Sequence, residues 1–87
     1  MNISAQPITG RLLRAHPPGM GYGDPYTWTA VAAPDPEDPS TAIVFGALTA
    51  PEEPKAVFGR LRSLGYTRVQ WERIKNGQHR HTRAFRL

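Results

Sequence analysis

No cysteine occurs anywhere in the 87 residues. That absence excludes a disulfide framework and any thiolate metal site, and it removes the covalent staples of small secreted domains. Long apolar runs are missing too. The longest, AIVFGALTA at 42–50, is less than half of the roughly 20 residues that a membrane-crossing helix needs. The opening MNISAQPITGRLLRAH lacks the uninterrupted apolar core of a secretory leader, so a soluble, cytoplasmic protein is expected. The glycine-rich GMGYG at 19–23 is not followed by Gly-Lys-Ser/Thr and precedes a strand pattern, which matches neither a P-loop nor a dinucleotide fingerprint. Ser4, Ser40 and Ser63 stand in no nucleophile motif. No cofactor is implied.

Charge of one sign is scarce in each part of the chain. Residues 1–54 carry Arg11 and Arg14 against six acidic groups, a net of −4. Residues 55–87 carry nine cations against Glu72 alone, a net of +8, and the two parts recover the overall +4. Such segregation points the C-terminal third at something anionic.

The nine prolines and eight glycines gather between apolar runs, where turns belong. ITGRLLRA (8–15) reads as a strand, and HPPGMGYGDP (16–25) as a long, mobile loop. In YTWTAVAA (26–33) Tyr26, Trp28, Ala30 and Ala32 alternate with Thr27, Thr29 and Val31, as on a half-buried strand. PDPEDPS (34–40) is an acidic turn, and TAIVFGALT (41–49) is apolar on both faces, hence a central strand. These three strands form an antiparallel meander, with the loops 16–25 and 34–40 expected at one end of the sheet.

A helix follows. Thr49 and Glu52 have capping-box spacing and Pro51 suits a first turn, while Pro54 offers a later start. Val57, Phe58, Leu61 and Leu64 make one apolar stripe. Glu52, Glu53, Arg60 and Arg62 complement the helix dipole, and Gly65 ends the helix as a left-handed cap with Tyr66 closing the contact.

The remaining chain is a hairpin around Asn76-Gly77. Val69, Trp71, Phe85 and Leu87 must share a face to be buried together, so paired positions must sum to an even number. A two-residue turn breaks that parity. A three-residue loop, Lys75-Asn76-Gly77, with Gly77 in a bulge restores it and sets Trp71 opposite His81, Val69 opposite Arg83, Thr67 opposite Phe85 and Glu72 opposite Arg80.

The expected fold is a single α+β domain, β-β-β-α-β-β, with a mostly antiparallel sheet, one helix on one face and a loose segment at 1–7. The expected core is Trp28, Ile43, Phe45, Val57, Phe58, Leu61, Leu64, Val69, Trp71 and Phe85. The stretch AIVFGALTAPEEPKAVFGRLRSLGYTRVQ, with the closing RAFRL, resembles the first β-α-β unit of the VapD-type ferredoxin-like ribonucleases. A second helix is absent here and extra strands precede the unit, so the resemblance transfers no site residue.

Several chemistries compete for the basic hairpin. Zinc wants about four ligands, whereas His79 and His81 have only Glu72 nearby and His16 sits in a distant loop, so no metal is expected. Metal-free ribonuclease chemistry needs a base and an acid on opposite sides of a phosphodiester, which two histidines two apart on one strand do not supply. Cations interleaved with aromatics suit a basic β-ribbon on a phosphate backbone. The leading expectation is therefore a non-enzymatic binding protein that contacts nucleic acid or a nucleoprotein complex through Arg60, Arg62, Arg68, Arg73, Lys75, His79, Arg80, His81, Arg83 and Arg86. Met20 and Tyr22 are possible loop contacts. The alternative is a phage- or plasmid-type inhibitor that occludes a host protein, such as a defence-system component, by an acidic surface of that partner. A small ribonuclease ranks third, and a sheet edge could serve a homodimer.

Overall fold

Small and β-branched apolar residues interrupted by proline and glycine give short strands, and the chain between them has few ways to run. The computed structural model describes residues 1–5, 7–75 and 78–87, with 73–75 and 79–81 described in backbone only. Its elements are β1 (Arg11–Ala15), β2 (Trp28–Pro34), β3 (Thr41–Phe45), α1 (Pro54–Ser63), β4 (Arg68–Lys75), β5 (Gln78–His81) and β6 (Phe85–Arg86). The strands line up β1-β2-β3-β4-β5, and β6 also pairs with β4. All pairings are antiparallel except β3 with β4, which α1 joins as a parallel crossover. The expected α+β order is the one observed, with the last strand divided in two.

The meander places the loop 16–27 at one end of β2 and the turn 35–40 at the other. The two loops therefore do not share an end of the sheet, contrary to the sequence reading, because successive antiparallel connections alternate ends. The loop is built from turns rather than left open: Met20 N–H donates to Pro17 O at 3.1 Å, and Gly21 N–H to Asp24 Oδ2 at 2.9 Å. His16 Nδ1 lies 3.0 Å from Pro25 O and ties the two ends of the loop together.

Burial corrects the core list. Trp28, Ala30, Ala32, Ala42, Val44, Leu61 and Val69 form the buried cluster, with Val57, Phe58, Tyr66, Trp71 and Leu87 packed against it. Ile43 and Phe45 belong to the opposite face and are half-buried, as is Leu64. The physical reason is volume. Small residues on β2 and β3 leave room for Trp28 and Trp71, stacked with ring centroids 6.2 Å apart. Phe58 meets Trp71 edge-on at 6.0 Å and Phe85 edge-on at 5.8 Å. Larger inward residues on the central strands would leave no space for that aromatic layer. Trp28 Nε1–H donates to Thr49 O at 2.8 Å, which satisfies the buried indole and pins the chain before α1.

The helix begins at Pro54, with Glu53 as N-cap and no side-chain cap bond, so the Thr49–Glu52 capping box does not form. Its end follows the expected design. Gly65 at φ 97° lets its N–H reach Arg62 O and the Tyr66 N–H reach Leu61 O, a Schellman closure.

Two carboxylates hold the turn 35–40, and Asp35 Oδ1 accepts the Glu37 N–H at 2.9 Å. Asp38 accepts hydrogen bonds from Ser40 Oγ at 2.6 Å, Thr41 Oγ1 at 2.7 Å and the Ser40 N–H at 3.1 Å. The Thr41 bond also satisfies a hydroxyl on a residue only 2% exposed. The Ser40 and Thr41 side-chain bonds hold the Asp38 carboxyl below its ordinary value. A carboxyl depressed on folding stabilises the folded state above its unfolded value, and that contribution is lost as pH falls through the folded value. Asp38→Asn should therefore melt at a lower temperature than the parent near neutrality. The gap between the two should close as the pH is taken below about 4, which melting curves over that range would read.

Candidate nucleic-acid interface

β4 is longer than its neighbour on the helix-connected side. Arg68–Trp71 pair with β3, and among the described residues the outer part of β4, Glu72–Lys75, pairs with β5 alone. The hairpin thus leaves the main sheet as a two-stranded ribbon about 13 Å long, at roughly 3.3 Å per residue. Arg73, Lys75 and Arg80 give the ribbon three cations against Glu72, with His79 and His81 beside them.

The ribbon's register differs from the expected one. The pairs are Glu72 with His81, Arg73 with Arg80, Ile74 with His79 and Lys75 with Gln78, which sum to an odd number. Nearer the helix Val69 pairs with Phe85 and Arg68 with Arg86, an even sum. Trp71, expected opposite His81, faces Thr82 instead: its carbonyl accepts the Thr82 N–H at 2.8 Å, and its N–H donates to Thr82 Oγ1 at 2.9 Å. The predicted partners of Val69, Thr67 and Glu72 are likewise displaced, and Leu87 N–H donates to Thr67 O at 3.0 Å. The bulge assigned to Asn76 and Gly77 falls outside the described residues. Parity is restored at 82–84, where the returning chain carries one residue more than β4. Phe85 thereby reaches Phe58 edge-on on the helix face, but it is 39% exposed and outside the buried cluster, so its expected place in the core is not met.

One consequence is electrostatic. The expected Glu72–Arg80 pair is replaced by Arg73 at the register position opposite Arg80. Glu72 Oε1 instead lies 3.3 Å from the Gly46 N–H, where it joins β4 to the bend after β3. At the ribbon's root Arg83 and Arg86 are exposed, and Arg68 Nη2 donates to Ala84 O at 3.1 Å, so Arg68 braces the break as well as adding charge.

The remaining predicted contacts lie elsewhere. Arg60 and Arg62 are exposed on α1, above the face of Val69 and Phe85, whereas Arg68 and Arg86 alternate to the other face of the sheet. Met20 and Tyr22 are exposed, as expected, but at the β1–β2 loop. Of the ten cationic and imidazole residues named from the sequence, Arg60 and Arg62 lie on α1, Arg83 between β5 and β6, and the other seven on β4, β5 and β6.

Two grooves flank the helix. One of about 330 Å³, lined by Leu48, Thr49, Pro54, Phe58, Trp71 and Phe85, opens near the root of the ribbon. The other, about 380 Å³, lies between β1 and α1, with Leu13, Trp28, Val57, Arg60, His16 and Tyr22 in its lining. The sequence reading overlooked this second groove, whose signal was the position of RLLRA as the first strand of a meander and hence a sheet edge. Among the described residues no group of three or more His, Asp or Glu could hold a metal ion, and no helix is long and apolar enough to cross a membrane.

No family description, curated protein or solved structure matches this chain.

Proposed function

We propose that the protein is a non-enzymatic nucleic-acid-binding protein that places its projecting basic ribbon against a phosphate backbone. The observation that carries this reading is the register position of Arg73 opposite Arg80 in a two-stranded extension that, among the described residues, no other strand supports. A like-charge pair costs folding stability, and a polyanion is the partner that turns that cost into affinity. A two-stranded ribbon fits the major groove of duplex DNA, about 12 Å wide, while Phe85, 39% exposed at the ribbon's root, offers a ring for an unpaired base.

Anisotropy of labelled mixed-sequence DNA and RNA tests the reading. With about four phosphates engaged, affinity should fall about 10²-fold between roughly 50 and 200 mM salt. Absence of binding even at the lower salt would refute it.

A further inference from the structure

We propose that the free edge of β1 takes an extended peptide of alternating acidic and apolar residues as an additional strand, with its apolar side chains entering the groove beside α1. The site is separate from the ribbon, at the opposite end of the strand order.

The edge is competent for pairing. β1 is the terminal strand, and its five residues run in unbroken register with β2. Leu13 O accepts from Thr29 Oγ1 at 3.0 Å and Ala15 O from the Thr27 N–H at 2.8 Å, so these carbonyls face β2. Backbone alternation then turns the N–H and C=O of Leu12 and Arg14 outward, toward the incoming strand. β1 contains no proline and no bulge, the devices that commonly blunt an edge.

The groove supplies side-chain selectivity. Leu13, Trp28, Ala56 and Val57 line its apolar part, and the exposed Tyr22 and Arg60 stand on its rim. Alternate residues of an added strand would point into this space, the arrangement by which strand addition reads sequence. At about 380 Å³ the groove has the volume of an ordinary ligand pocket.

Charge selects the occupant. β1, β2 and α1 contain no acidic residue, while Arg11, Arg14, Lys55, Arg60 and Arg62 all lie on β1 or α1. Arg14 is held over the Tyr26 ring, its guanidinium carbon 4.5 Å from the centroid, beside the edge it would serve. A second copy of this chain is a poor occupant, since two paired β1 strands would gather four arginines in a seam without a counter-charge. The acidic side chains of an added strand, which alternate away from the groove, meet Arg14 on the face that α1 does not cover.

The test titrates the full chain with the synthetic peptide Glu-Val-Glu-Leu-Glu-Val-Glu, reading amide exchange residue by residue. The Leu12 and Arg14 amides should gain protection, and the lysine counterpart Lys-Val-Lys-Leu-Lys-Val-Lys should bind at least about tenfold more weakly. Leu12→Pro removes an outward N–H without breaking the β2 ladder; it should keep the far-UV spectrum and the oligonucleotide affinity while losing the acidic peptide. Should that variant not fold, Arg60→Glu serves, with at least about a tenfold loss expected. Unchanged Leu12 and Arg14 amides at saturating peptide, or equal affinity for the lysine peptide, would overturn the proposal. Protection of these amides in a peptide-free dimer would also overturn it, in favour of a second copy.

Discussion

Arg80→Glu should make the protein more stable and a worse binder of nucleic acid. The substitution turns the Arg73–Arg80 cross-strand pair from like to opposite charge. Opposite-charge pairs directly across a ladder contribute roughly 0.2 to 1 kcal/mol, and the repulsion they replace is of similar size, so a gain of about 1 kcal/mol is expected. For a domain of this length that corresponds to a rise of about 4 to 8 °C in the melting midpoint. In the oligonucleotide assay the same change removes one phosphate contact and adds a negative charge beside the backbone. Affinity should fall at least about tenfold at low salt, and the slope of log affinity against log salt should become shallower by about one or more. A gain in one measurement with a loss in the other distinguishes a surface kept for binding from one kept for folding. Stability that fell on making Arg80→Glu would contradict the register, and unchanged affinity would contradict the interface.

Leu61→Ala should be the most damaging truncation of the helix. Leu61 is fully buried in the core cluster and is the one buried side chain of α1 among the described residues. Removing it should cost about 2 to 5 kcal/mol by lost transfer energy and the cavity left behind. A domain of this size has a total of roughly 4 to 13 kcal/mol, so the variant stands near the edge of folding. Urea unfolding reads the loss directly as a shift in midpoint. Ile43→Ala supplies the contrast. Ile43 looks like core from the sequence, yet it is half-buried on the face that α1 does not cover, and its truncation should cost clearly less. Equal losses at the two positions would mean that the uncovered face is a second core.

The helix end, the alternation of β2 and the element order were legible because each depends on local chemistry. Gly65 supplies the positive φ that a Schellman closure needs, and Trp28, Ala30 and Ala32 recur at the period of a strand. The inward face of β3 was not legible, because TAIVF is apolar at every position but its first and either face could have been buried. What decided it was the room that Ala42, opposite Val69, and Val44, opposite Trp71, leave beneath the aromatic layer. The groove beside β1 was invisible for a related reason, since its walls come from residues more than forty positions apart.

The hairpin shows the division most clearly. Composition alone determined that the last third of the chain is basic, and parity alone that Val69, Trp71 and Phe85 must lie on one face. Where the extra residue goes is a tertiary matter. A bulge at the turn and a break at 82–84 satisfy parity equally well, but only the break lets Thr82 pair with Trp71 and Arg68 reach the Ala84 carbonyl. That choice shifts the outer register by one and sets Arg73 opposite Arg80. Burial on β2, where the side chains alternate, was readable along the chain; burial on β3 and the outer register of the ribbon depend on which groups find partners across the sheet, and only the folded sheet settles them.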